Sequence, residues 1–404
     1  MVRYLICFAG CALLSALFGV DVSAQEGGEM DIIKQQGGKI LDGGVITEET
    51  YEDITYKRSG GLTMKVGWAD VTEIEYGGKP EMLKSAETAL GAGDYEKAMS
   101  GFETVVRDCR SEKIRKVFLQ HALIGLARCQ AMVSNGTDKA EKTYSELISM
   151  NKSRFLKESY TECIDMLIRA GAQNKGYFKR ADDMIKTAKD MVEKAKDFPA
   201  KEEVLQKFVF YTAKILEANG DYQGAKDKYQ KMKLEIKSMP NPSPVALGDA
   251  TLGMVRCAIE LKELSDAEEK LNNFIDKEAP TPEENYPVIM AEAWNQLGTI
   301  YYKKSEDEKD VNTRKNLLKT ALENFLHGVV QFVPREEDVP LEYAKALYYS
   351  SDCYLRLADM IKESNPESSD KYKERARTNL TKILNEVKMP GWMKPAEDLL
   401  KKVK

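Results

Sequence analysis

Two hydrophobic periodicities divide the chain. Over residues 31–78, apolar and polar positions alternate in short runs: "KILDGGVITEET", "YEDITYKRS", "LTMKV" and "DVTEIEY". Successive side chains of an extended strand point to opposite faces, so a period of two predicts half-buried strands. Gly43-Gly44, Gly60-Gly61 and Gly67 interrupt the runs and mark turns. Val45, Tyr51, Ile54, Tyr56, Leu62, Met64, Val66, Val71 and Ile74 are expected to share one core. Four or five strands in about 48 residues predict a small SH3-like or Sm-like β barrel. Gly77-Gly78-Lys79-Pro80 closes this module, with Pro80 suited to the first turn of a helix.

From residue 80 the period lengthens to that of a helix. In "AWNQLGTIYY" (293–302), Trp294, Leu297, Gly298 and Tyr301 fall on one helical face. A helical Gly costs about 1 kcal/mol relative to Ala, so Gly298 is expected where a neighbouring helix approaches closely. The pattern also repeats. "GDYEKAMSGF" (93–102) and "GDYQGAKDKY" (220–229) align without a gap, with Ala98 matching Ala225 and Phe102 matching Tyr229. Gly93 and Gly220 supply a turn, and Asp94 and Asp221 can cap the helix that follows. "ALIGLARC" (122–129) and "ATLGMVRC" (250–257) align as well, followed by "DKAEKTY" and "SDAEEKL". Two independent internal matches predict a repeated unit of two antiparallel helices.

Trp294, Leu297, Gly298 and Tyr301 occupy the W-x2-L-G-x2-Y positions of the tetratricopeptide repeat, which this segment resembles. Ala321 and Phe325 resemble the A-x3-F of its second helix, and Pro334 would end that helix. The interval from Tyr301 to Ala321 exceeds the usual one by about eleven residues. "KSEDEKDVNTRKN" is therefore expected to extend the helices or to form a polar loop, and "KESNPESSD" marks a similar insertion. The resemblance covers residues 80–390, in about seven helix pairs. It is most specific around Tyr95, Tyr222 and Trp294 and weaker near residues 130, 175, 258 and 360. Residues 391–404, with "WMKPAEDLLKKVK", resemble a capping helix. The β module resembles those that precede helical repeats in some exported bacterial proteins. The resemblance implies a superhelix whose concave face, lined by the first helix of each pair, binds peptides or protein segments. Counting from the matched motifs, it places Arg128, Lys214, Arg256, Asn295, Thr299, Tyr302, Ser351 and Tyr354 on that face. Asn295 sits at one position of the carboxylate clamp known in the family, but its Lys and Arg partners do not fall in adjacent units.

The N-terminus changes the expected compartment. Residues 1–24 have a cationic start at Arg3, an apolar core from Tyr4 to Val20, and Val22-Ser23-Ala24 before Gln25. That is the form of a secretory signal peptide, and it predicts export to the periplasm or cell envelope; an uncleaved anchor is the alternative. Cys11 follows "FAG", but most of the apolar run lies after it, the wrong order for a lipoprotein signal. Cys109, Cys129, Cys163, Cys257 and Cys353 would survive cleavage. Odd in number and without a C-x-x-C pair, they are expected to be buried thiols rather than a disulfide framework or zinc site.

Charge and chemistry narrow the function. The 404 residues carry a formal net charge of -5, with acidic and basic residues interspersed and no long basic run. The electrostatic footprint of a nucleic-acid binder is missing. His121 and His327, the two histidines, lie in different units without supporting motifs, and His121 is expected on a helix surface. "GGLTMKVG" is not followed by a helix as a phosphate loop would be. No catalytic residue, metal ligand or cofactor site is predicted. The expected function is a non-catalytic protein-interaction scaffold of the cell envelope. The alternative is a wall-polymer or polysaccharide module in which Tyr51, Tyr56, Trp68 and Tyr76 stack on sugars. Those aromatics would have to share an exposed face; packing inside the module favours the scaffold.

Overall fold

The computed structural model describes residues 30–403, apart from 197, 241, 280–285 and 334–340. The expected signal peptide and Pro334 lie outside the described residues. The chain divides into two compact units, one ending at Ser159 and the other starting at Tyr160.

The first unit opens with five strands: β1 (Asp31–Gln35), β2 (Ile40–Glu49), β3 (Asp53–Arg58), β4 (Thr63–Gly67) and β5 (Val71–Glu75). They form one sheet in the order β4-β3-β2-β1-β5, and each neighbouring pair is antiparallel. A barrel requires its two edge strands to pair. β4 and β5 are the edges here and do not pair with each other, so the sheet is open and the expected SH3-like or Sm-like closure is corrected. The core also differs from the expected one. Ile33, Leu41, Ile46, Ile54, Tyr56 and Val66 are buried, whereas Leu62 is 60% exposed and Val45, Met64, Val71 and Ile74 are partly exposed. The ladder shifts register between Ile46 and Glu48 and again within β1. Each such irregularity exchanges inward and outward positions, which strict alternation cannot anticipate.

Fifteen α-helices follow among the described residues. The first unit holds α1 (Glu81–Gly91), α2 (Tyr95–Arg110), α3 (Val117–Met132) and α4 (Thr137–Ser149), and the division falls within α5 (Leu156–Gly171). The second unit continues with α6 (Gly176–Lys194), α7 (Lys201–Ala218), α8 (Tyr222–Lys237), α9 (Pro244–Glu260) and α10 (Leu264–Asn273). Then come α11 (Pro287–Asp307), α12 (Val311–Val330), α13 (Leu341–Ile361), α14 (Pro366–Lys382) and α15 (Pro390–Leu400). Consecutive helices pack against one another from α1 to α4 and from α6 to α15, as the internal matches predict.

The turns follow the sequence. Gly93 (φ 75°) and Gly220 (φ 84°) adopt the left-handed conformation that ends a helix. Asp94 accepts from the Lys97 amide at 3.3 Å and Asp221 from the Gly224 amide at 2.9 Å, each capping the next helix. The glycine–aromatic contacts repeat as well. A Cβ at Gly125 would lie 2.3 Å from the ring of Phe102, one at Gly253 2.6 Å from Tyr229, and one at Gly298 2.8 Å from Phe325. The "KSEDEKDVNTRKN" insertion lengthens helices: α11 runs to Asp307 and α12 starts at Val311. At the end of the chain, Ala396, Leu399 and Val403 pack with Leu347 and Leu380, and Trp392 meets the Tyr348 and Tyr349 rings at 5.2 and 5.9 Å. The five cysteines are buried free thiols. Among the described residues no helix is long and apolar enough to cross a membrane.

Candidate functional site

In the second unit, the first helices of successive hairpins touch: α7 meets α9, α9 meets α11, and α11 meets α13. Their facing side chains are charged. Asp249 and Arg256 lie two turns apart on α9, and Glu292 and Gln296 lie one turn apart on α11, so each pair shares a helical face. Arg256 bridges three helices: its Nε donates to Glu217 of α7 at 2.7 Å, and its Nη1 donates to Glu292 of α11. Gln296 Nε2 donates to Glu292 at 2.7 Å. Asn295 Nδ2 donates to both the carbonyl and the carboxylate of Glu342 on α13, each at 2.8 Å, and Lys345 lies 3.8 Å from the same carboxylate.

Burial sets the electrostatics of this seam. It pushes the Asp249 carboxyl up to about 6, and neighbouring Glu292 pushes it the same way. Burial also raises Glu342, and the Lys345 charge only partly offsets this. For Glu292, burial acts upward too, but Arg256 and Lys345 outweigh it and hold the group below the usual carboxylate range. Asp249 makes no hydrogen bond or ion pair among the described residues. Farther along α11 and α13, the Tyr302 hydroxyl donates to Asp352, and Arg356 donates to Asp352 at 2.8 Å and to Glu306 at 3.2 Å.

The eight residues expected on a binding face fall in different surroundings. Arg256 stands in the seam. Lys214 of α7 lies 3.7 Å from Asp165 and 5.4 Å from the Phe210 ring centroid. Thr299 is half-buried and donates to the Asn295 carbonyl of its own helix at 2.7 Å. Arg128 is on α3, in the first unit, and so is not part of this row. Asn295, Tyr302, Ser351 and Tyr354 are buried, which corrects their expected place on an open face. Ser351 donates within α13 to Leu347 at 2.7 Å, and Tyr354 packs on Tyr372 with centroids 5.6 Å apart. Helices on several sides enclose these positions, so an offset counted from one motif does not lead to solvent. The sequence reasoning missed Asp249, Glu292, Gln296 and Glu342. Helical spacing could have grouped Asp249 with Arg256 and Glu292 with Gln296 by face, but not the pairing between helices.

The first unit has its own polar interior. The Asp31 side chain accepts from the Ile46 and Gly77 amides at 2.5 and 2.8 Å, and Arg115 Nη2 lies 2.5 Å from it. Glu49 is fully buried, with His121 Nε2 at 2.7 Å, Arg154 Nη1 at 3.4 Å, and the Tyr76 hydroxyl donating to it. His121 is thus packed against Tyr76, Phe118 and Phe155 rather than lying on a helix surface. The four aromatics of the sugar-binding alternative do not share an exposed face. Tyr56 is buried, and Tyr76 packs on Phe118. Trp68 donates to the Thr50 carbonyl at 2.7 Å under the Arg154 guanidinium, and Tyr51 is half-buried. Among the described residues no group of His, Cys, Asp and Glu is arranged to hold a metal ion.

No protein-family profile matches the chain. No curated protein sequence matches it either. Among solved structures, it is similar to a tetratricopeptide repeat protein from Parabacteroides merdae, with 12% identity and a TM-score of 0.48, over 80% of this chain and 97% of that one. It is also similar to the apo form of the quorum sensor NprR from B. thuringiensis, with 14% identity and a TM-score of 0.45, over 74% and 75%. A third similar structure is BtubC from P. vanneervenii, with 16% identity and a TM-score of 0.40, over 64% of this chain and 92% of that one.

Proposed function

We propose that this chain is an exported, non-catalytic scaffold that binds segments of other proteins along the row of α7, α9, α11 and α13. The observation that carries this reading is the seam of charged side chains running across those helices, centred on Arg256, Glu292 and Glu342. Burying charge is costly, so stability alone would favour apolar residues in these places. A row of polar groups on stacked helices instead suits an extended partner, each hairpin contributing a few contacts. Export follows from the form of residues 1–24, and it places the partner in the periplasm or cell envelope. N-terminal sequencing of the native protein should find Gln25 first; an intact Met1 would contradict export with cleavage.

Amine-reactive cross-linking to an envelope extract tests the binding surface. Lys207 and Lys214 of α7, whose charges act on Asp249, and Lys345 of α13, 3.8 Å from Glu342, report on the row. Partner adducts on these three are expected. Adducts confined to the lysines of residues 31–78 would move binding to the sheet and contradict the proposal.

A further inference from the structure

The sheet of the first unit meets its helices through two carboxylates whose side chains are fully buried. Asp31 of β1 faces Arg115, in the link between α2 and α3. Glu49, at the end of β2, faces His121 of α3 and Arg154, in the link between α4 and α5. The two contacts are built differently. Asp31 accepts from the Ile46 and Gly77 amides as well as from Arg115, and Arg115 also donates to the Gly77 and Ile46 carbonyls at 2.9 and 2.8 Å. Backbone groups therefore fix this contact. The Glu49 carboxylate is met by three side chains: the Tyr76 hydroxyl, His121 Nε2 and Arg154 Nη1.

Around Arg154, residues 152–155 lie against the sheet as a strap. Thr50 and Ser153 form a bridge, and the Tyr51 amide donates to the Lys152 carbonyl at 3.1 Å. Ser153 donates to Gln120 at 2.9 Å. The Arg154 guanidinium stands 4.2 Å from the Trp68 ring centroid and donates to the Tyr76 hydroxyl at 3.0 Å. Burial opposes the charge on Glu49, and His121, Arg154 and Tyr76 restore it, so carboxylate and strap hold each other. A proton on Glu49 would leave Arg154 without its carboxylate, which is costly in a partly buried place. The Arg154 side chain is 31% exposed and has a short way to water. A cavity of about 200 Å³, lined by Glu49, Gln120, Lys152 and Ser153 among others, lies beside the joint. The other charges there lie toward solvent: Lys152 pairs with Glu52 at 3.3 Å, and Glu48 and Lys116 are exposed, so water screens them.

We propose that this joint is an acid-operated catch: a proton on Glu49 frees the strap from the sheet, while Asp31 keeps β1 tied to Arg115 and the helices stay folded. Opening moves Arg154 off Trp68 and uncovers His121 with its neighbours Phe118 and Phe155.

Fluorine NMR of the intact chain labelled with 5-fluorotryptophan tests this. Trp68, Trp294 and Trp392 give three resonances, and Trp68→Phe identifies the one at the joint. As pH falls below 4.5, the ordinary value for the Glu49 carboxyl, the Trp68 resonance should move first. The other two, and the helical circular dichroism, should hold until lower pH. Glu49→Gln keeps the shape of the side chain without its charge, so at pH 7 its Trp68 resonance should already stand at the parent's acid position. One shared transition of all three resonances and the helical signal in the parent would overturn the catch. So would a folded Glu49→Gln chain whose Trp68 resonance stays at the parent's pH 7 position. Should that variant not fold, the parent titration decides alone.

Discussion

Gly298 and Phe325 touch face to face: a Cβ at residue 298 would stand 2.8 Å from two carbons of the Phe325 ring. Phe325 is fully buried, and its other neighbours include Tyr349, stacked at 5.4 Å with an interplanar angle of 15°. The ring is thus held between α11 and α13 and has little room to retreat. Gly298→Ala should therefore destabilise the second unit, since overpacking a filled core typically costs 1–3 kcal/mol, against a gain of about 1 kcal/mol in helix propensity. Gly298→Leu should be worse. Gly91, helical and with nothing within 4 Å of an added Cβ, is the control: Gly91→Ala should be neutral or stabilising. Thermal melts of the three variants check this, and equal melting temperatures for Gly298→Leu and the parent would contradict it.

A second prediction concerns the turn before α10. Lys262 has φ 63° where the matched turns carry Gly93 and Gly220. A side chain in the left-handed region costs roughly 1–2 kcal/mol, while Gly loses about 0.5–1 kcal/mol more conformational entropy on folding. Lys262→Gly should therefore raise stability by roughly 0.5–1 kcal/mol, read from denaturant midpoints.

The pH dependence of Asp249 has a definite sign. Its carboxyl is raised in the folded state from 3.8 to about 6, so the folded chain binds the proton more tightly than the unfolded one. The cost is absent below pH 3.8, grows between there and about pH 6, and is fully present above. Asp249→Asn should thus stabilise the protein at pH 7, by no more than ~3 kcal/mol, and change little near pH 4. Urea midpoints at the two pH values read the difference. A stabilisation that is larger at pH 4 would contradict the buried-carboxylate description.

Glu49 has the opposite sign. Burial pushes it up, but His121, Arg154 and Tyr76 outweigh that and bring it below its ordinary 4.5. Its contribution is present above pH 4.5 and is lost as pH falls through the lowered value. Glu49→Gln should flatten the acid limb of the unfolding curve of the first unit and, by removing the carboxylate beside Arg154, lower stability at neutral pH.

These residues also show what the sequence could convey. Hairpins were legible because a turn is local: Gly93-Asp94 and Gly220-Asp221 each carry the signal within two positions. Gly298 was legible because a glycine held in a strong helical pattern needs a steric reason. The sheet core was only partly legible. The register shift between Leu41 and Gly44 of β2 turns Val45 outward and Ile46 inward, and Leu41 and Ile33 belong to the core without standing in the simple alternation. The polar interiors were not legible at all. Asp31 meets Arg115 and Glu49 meets Arg154 across long stretches of chain, and only the folded backbone brings them together. For the same reason His121 reads as a surface residue in the sequence and lies in an aromatic pocket in the fold. On the candidate row, Tyr302 and Ser351 are buried among their neighbours, which an offset counted along one helix does not reveal.

Amide hydrogen exchange on the intact chain, alone and with the partner recovered by cross-linking, tests most directly whether the row of first helices is the working surface. Slower exchange in the partner's presence is expected along α9, α11 and α13, around Arg256, Gln296 and Lys345. Protection confined to residues 31–75, with that row unchanged, would contradict binding along the helices.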